Sequence, residues 1–161
     1  MIIAGFPCIG KTTMAKKYNN VLDLSSTKFH YLIADDSLDE ALKGNESNLK
    51  PHPNWPQNYI EEIQAVKDKY DVVFVLARDY ILEEMNKLKI SYLIAVPEEN
   101  LKQEYITRAV LRGNTKNFVL GFDVRYDKWR NMMLSQPAEK IYLKKGEYIE
   151  DALKRLKLFG G

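Results

Sequence analysis

A short apolar run, Met1-Ile2-Ile3-Ala4, leads directly into Gly5-Phe6-Pro7-Cys8-Ile9-Gly10-Lys11-Thr12, and residues 12–18 after it have helical composition. No other stretch of the chain limits the fold as tightly. A buried strand, a glycine-bounded loop and a helix must follow one another without a spare residue. The loop has the spacing Gly-x-x-x-x-Gly-Lys-Thr, and each fixed part has a physical reason. Gly5 and Gly10 allow backbone conformations that a Cβ forbids, so successive N–H groups can turn inward around an anion. Lys11 brings a charge suited to β- and γ-phosphates. The Thr12 hydroxyl is a ligand for Mg²⁺. The helix that begins here adds its positive end. The expected nucleoside-triphosphate contacts are therefore Gly5, Pro7, Cys8, Ile9, Gly10, Lys11, Thr12 and Thr13, with Mg²⁺ on Thr12.

The rest of the chain supports an α/β fold. Four more β-like runs follow, at 20–24, 71–77, 91–96 and 140–143, alternating with helical stretches at 59–69, 80–88, 98–112, 115–134 and 148–158. The run at 71–77 is apolar throughout, as a strand covered on both faces should be. Strands alternating with helices predict a parallel sheet between helical layers. Residues 43–58 break the pattern with Gly44, Asn45, Ser47, Asn48, Pro51, Pro53 and Pro56. A connection of that length is expected to be functional or disordered.

Bulk properties narrow the partners. The 161 residues suit one domain, 45% are hydrophobic, and the net charge is only +2. That charge, with no basic stripe, argues against a nucleic-acid groove. No apolar run reaches membrane-spanning length, and nothing before the first strand reads as a leader. The single cysteine, Cys8, excludes an internal disulfide and fits a reducing compartment. A cytoplasmic protein with no membrane partner is expected. His30 and His52 have no partner at ligand spacing, so neither is assigned a metal.

With these parts in this order, the chain resembles the small P-loop kinases, the group that includes nucleoside monophosphate kinases, shikimate kinase and gluconate kinase. The loop Gly5–Thr12 is the specific match; the others are positional. The resemblance implies a three-layer P-loop NTPase fold, one domain over residues 1–161, with a five-stranded parallel sheet of order 2-3-1-4-5. It implies ATP as donor and a small acceptor, a nucleotide first. It places an acidic residue after the second strand, where Asp23 stands, and a substrate-capping segment over about 25–60. An acceptor-binding arginine after the third strand would be Arg78. A lid over about 105–125 would carry Arg108 and Arg112, and a loop bordering adenine would be 144–147. Two features depart from the pattern. Asp23-Leu24-Ser25 lacks the second carboxylate of the Asp-x-Asp motif, and the third strand ends in Leu76-Ala77-Arg78 without the metal-organising acid.

Each candidate has a plainer alternative. Asp23 can order Mg²⁺ or take an acceptor proton, or it can cap a turn before Ser25 and Ser26. Arg108 and Arg112 share a helical face and can grip a phosphoryl group, or they can simply favour a helix C-terminus closed by Gly113-Asn114. Lys11, Asp23, Arg108 and Arg112 form the expected catalytic set. Trp55 and Tyr59 can stack on a nucleobase, but such aromatics more often anchor a loop. Arg78 can bind an anionic acceptor or face solvent. Arg125 can reach inward, Arg130 is expected at the surface, and Trp129 in the core. Cys8 can be acidified by Lys11, although an inert side chain is the preferred reading. The competing function is a nucleotide-binding regulator or slow NTPase with no acceptor.

Overall fold

The structure is a computed structural model that describes residues 1–32 and 49–160. Part of the 43–58 connection and of the 25–60 capping segment lies outside the described residues. Seven strands are present among them: β1 (Ile2–Gly5), β2 (Val21–Asp23), β3 (Tyr31–Leu32), β4 (Lys50–Pro51), β5 (Val72–Val75), β6 (Leu93–Pro97) and β7 (Lys140–Leu143). The helices are α1 (Lys11–Lys17), α2 (Thr27–His30), α3 (Gln57–Val66), α4 (Asp79–Lys87), α5 (Lys102–Leu111), α6 (Lys116–Leu134) and α7 (Ile149–Arg155).

Five strands form one parallel sheet in the order β2-β5-β1-β6-β7. These labels differ from the expected series because β3 and β4, which the sequence pattern did not show, form a separate antiparallel ribbon. Counted over the main sheet alone, the strands stand second, third, first, fourth, fifth. Every residue of β1 and β5 is buried. Side chains alternate along a strand, so burial at every position means that helices cover both faces.

The carboxyl ends of β1, β2, β5 and β6 reach one edge of this sheet, where open α/β folds place their ligands. Phe6 projects from the loop into an aromatic block of Tyr105, Phe122, Tyr126 and Trp129, with ring centroids 5.0–6.1 Å away. Helix α6 is tied to the same edge at two points. The Trp129 indole N–H donates to the Ala77 carbonyl at 2.8 Å, and Arg130 Nε donates to the Pro97 carbonyl at 2.9 Å. Arg130 is therefore half-buried and anchoring, not the surface residue expected. Helix α5 also begins later than the pattern at 98–112 suggested. Asn100 has φ 65°, which turns the chain before a helix can start.

Candidate functional site

The loop between β1 and α1 is held from outside. Cys8 has φ 65° and Gly10 φ 92°. At Gly10 a side chain is excluded twice, because a Cβ there would lie 3.0 Å from Tyr148 Cδ1 as well as in a left-handed conformation. The Cys8 carbonyl accepts from Arg108 Nη1 at 3.1 Å, and the Ile9 carbonyl accepts from the Ile149 N–H at 2.8 Å. Pro7 and Cys8 stand in a turn, and among the described residues the Gly10 N–H has no carbonyl partner. Together with Lys11, Thr12, Thr13, Arg108, Leu111, Arg112 and Tyr148, the loop lines a cavity of about 320 Å³.

Lys11 folds back so that Nζ donates to the Gly5 carbonyl at 3.0 Å. Burial pushes its pKa below the ordinary lysine value, and the Asp23 carboxylate pulls it partly back. A lysine so desolvated gains by meeting an anion. Thr12 Oγ1 donates to Asp23 Oδ2 at 2.7 Å. The Asp23 side chain therefore faces the loop, while the residue that precedes α2 as its cap is Ser26. Two neighbouring oxygens of this kind suit Mg²⁺, which keeps waters and phosphate oxygens around one or two protein ligands. No cluster of three or more His, Cys, Asp or Glu that could hold a metal occurs among the described residues. Cys8 is buried, and that burial raises its thiol pKa despite Arg112, Lys11 and Arg108 nearby.

The two arginines differ sharply. Arg108 has a side chain only 9% exposed. It donates to the Cys8 and Glu147 carbonyls and pairs with Glu104 at 3.2 Å. Its guanidinium lies 4.1 Å from the Tyr148 ring centroid and 4.6 Å from that of Tyr105. Glu104 in turn accepts from the Gly146 N–H. Arg112 is exposed; its Nε donates to Asn114 Oδ1 at 2.7 Å, and its guanidinium lies 5.7 Å from the Phe118 ring. The helix does end there as a glycine cap: Gly113 has φ 83°, and its N–H and that of Asn114 return to the Val110 and Ala109 carbonyls.

A second cavity of about 250 Å³ is lined by Arg78, Asp79, Arg125, Lys128, Trp129 and Met132. Arg78 sits 5.0 Å over the Trp129 ring, and Trp129 touches Phe6 of the loop. The second cavity is thus linked to the phosphate-loop segment through a pair of rings. Sequence reasoning placed Arg78 and Arg125 as candidates but gave no role to Lys128, and it put Trp129 in the core. A signal for this patch existed in the i, i+3, i+4 spacing of Arg125, Lys128 and Trp129.

The aromatic pair separates. Tyr59 is fully buried; its hydroxyl donates to the Leu24 carbonyl and accepts from the Leu76 N–H. It ties β2 to β5 and presents no face for a base. Trp55 is half-buried and stacks on His30, with centroids 4.1 Å apart. It pins the turn before α3 to α2. His52 Nδ1 accepts from the Asn54 N–H.

No known family model matches the chain, and no curated protein matches its sequence. The site therefore has to be read from its own chemistry. Among the described residues, no helix is long and apolar enough to cross a membrane.

Proposed function

We propose that this chain is a kinase of the three-layer P-loop NTPase fold that transfers the γ-phosphoryl group of ATP to a nucleotide or related small acceptor. The supporting observation is one cavity, at the carboxyl ends of the strands, whose lining brings together the loop residues Cys8–Gly10 with Lys11, Thr12 and Arg112. One domain with a capping segment near 25–60 and a lid near 105–125 goes with this reading, as does a cytoplasmic location.

The loop N–H groups and Lys11 bind the β- and γ-phosphates. Thr12 and Asp23 would hold Mg²⁺, which supplies neutralisation of charge shared between phosphate oxygens. In the transfer, an acceptor oxygen forms a bond to the γ-phosphorus while the bond from that phosphorus to the β,γ-bridging oxygen breaks. ADP leaves with the bonding pair. Arg112 swings from Asn114 to the charge that spreads over the equatorial oxygens. A phosphate-oxygen acceptor brings its own lone pair and has no proton to lose. A hydroxyl acceptor must lose one, and Asp23 is the carboxylate in contact with the loop. Asp23 is already engaged by Thr12, which favours the phosphate acceptor. So does the second cavity, where Arg78, Arg125 and Lys128 have no ion pair among the described residues.

The competing reading, a nucleotide-binding regulator or slow NTPase, is favoured by one feature. No acid ends β5, and Asp79 accepts from the Tyr80 N–H of its own helix at 2.8 Å. Incubation with Mg-ATP and a panel of nucleoside monophosphates, nucleosides and small hydroxylated metabolites distinguishes the two. Acceptor-dependent ADP with a phosphorylated product supports the kinase. ADP and free phosphate without an acceptor effect support the NTPase. Thermal protection by ATP with no turnover supports the binding module.

A further inference from the structure

We infer that Arg108 is a positioning residue that sets the shape of the phosphate-binding loop by holding the Cys8–Ile9 peptide, and that it does not itself grip the transferring group. The inference rests on the nucleotide reading above. A trans peptide is planar, with its C=O and N–H pointing in opposite directions. Arg108 Nη1 holds the Cys8 carbonyl at 3.1 Å, which fixes the plane of the peptide that carries the Ile9 N–H. The next peptide is fixed likewise by the Ile149 N–H on the Ile9 carbonyl, which sets the direction of the Gly10 N–H. The second clamp is backbone and cannot be lost by substitution. The first is one side chain.

Cys8 makes that side chain matter. It stands at φ 65°, in the left-handed region that a residue with a Cβ disfavours. Without a partner on its carbonyl, the peptide relaxes by rotating and takes the Ile9 N–H out of the cradle. To reach a γ-phosphoryl group instead, Arg108 would have to leave the Cys8 and Glu147 carbonyls, Glu104 and two aromatic faces. Arg112 would leave only Asn114 and the ring of Phe118. Of two arginines one turn apart, the outer one is free to move and the inner one is part of the frame.

The test is a cycle of wild type, C8G, R108A and the double variant, with Mg-ATP affinity by calorimetry and kcat for each. R108A should weaken Mg-ATP binding by about tenfold, a size normal for coupled neighbours. C8G should restore most of that loss, because glycine occupies the left-handed conformation without help. R108K should rescue little, since an ammonium keeps the charge but cannot bridge two carbonyls as a fork does. Equal losses with Cys8 and with glycine at position 8 would overturn the inference, as would a fall in kcat alone or full rescue by lysine. If R108A does not fold, R108K in the two backgrounds makes the same comparison. A wild-type protein that binds no Mg-ATP, with K11A no different, would overturn the nucleotide reading itself and this inference with it.

Discussion

Around Cys8 several polar side chains are engaged by the protein itself: Lys11 on Gly5, Thr12 on Asp23, Arg108 on two carbonyls and Glu104, and Glu104 on Gly146. Around Trp129, one ring-to-ring step away, Arg78, Arg125 and Lys128 line a cavity with no carboxylate partner among the described residues. The first region is shaped before any ligand arrives, by chain segments far apart in sequence. In the second, charge is gathered but not arranged, and an anion would have to arrange it. Preorganisation of this kind costs little reorganisation at the moment of reaction, so the larger catalytic effects should fall on the loop side. The acceptor side should govern affinity for one substrate only.

The largest effect is expected from Lys11→Ala. Turnover should fall by roughly 10²–10³, the size seen when one preorganised phosphate or oxyanion donor is lost. The melting temperature should change little, since a single bond to the Gly5 carbonyl goes with it. Lys11 also gives a pH signature. Burial holds its pKa below 10.5, so it loses its charge earlier than a free lysine as pH rises. Mg-ATP affinity measured from pH 7.5 upward should therefore decline in the wild type and stay flat in Lys11→Ala. A flat wild-type profile would break the contrast between the two regions at its strongest point.

Asp23→Asn comes next. It keeps the size and an acceptor for Thr12 but removes the charge. A fall of about 10–100-fold in Mg²⁺-dependent turnover is expected, the usual range for a residue that orients a metal ligand. Melting should hardly move. Unchanged kinetics would confine Asp23 to the fold.

Arg78→Ala and Arg125→Ala sharpen the other half. Each should raise the KM for an anionic acceptor by about tenfold, in line with the loss of one charge-assisted contact. The KM for Mg-ATP should not change. If both constants rise together, the two cavities are one site and the comparison fails.

The smallest effect lies away from both. Glu150 joins α1 to α7 by accepting from Lys17, Tyr18 and Lys154, and these bonds hold its pKa near 2. A carboxylate lowered on folding stabilises above its unfolded value of 4.5 and ceases to do so as pH falls toward 2. The melting difference between wild type and Glu150→Gln should be small at neutral pH, because the network is solvent-exposed. It should vanish on acidification through that window. A difference that persists at pH 2 would assign the effect to packing.

The loop and Asp23 were legible in the sequence because their partners lie close along the chain or at a strand end fixed by the fold. The main strands were legible for the same reason: Val72-Val73-Phe74-Val75 can only be a buried strand in this setting. Arg108 was not. Its contacts run to the carbonyls of Cys8 and Glu147, and a carbonyl has no residue-type signature. Tyr59 stayed open between base stacking and anchoring because an aromatic beside prolines looks the same whether its hydroxyl meets water or the Leu24 carbonyl. Arg130 was misplaced because helix periodicity does not reveal that Pro97 ends its strand within reach. The ribbon of β3 and β4 escaped because two-residue strands have no period to detect.

The indole of Trp129 has one further consequence. The chain contains only two tryptophans. One, Trp55, is stacked on an imidazole, whereas Trp129 touches the ring at the base of the loop, carries a guanidinium from the other cavity, and donates to the strand end between them. With Trp55 replaced by phenylalanine, the molecule becomes its own single-fluorophore sensor. Emission from this half-buried ring would report the filling of the cavity that it lines, and the arrival of a ligand there could be followed with no label attached.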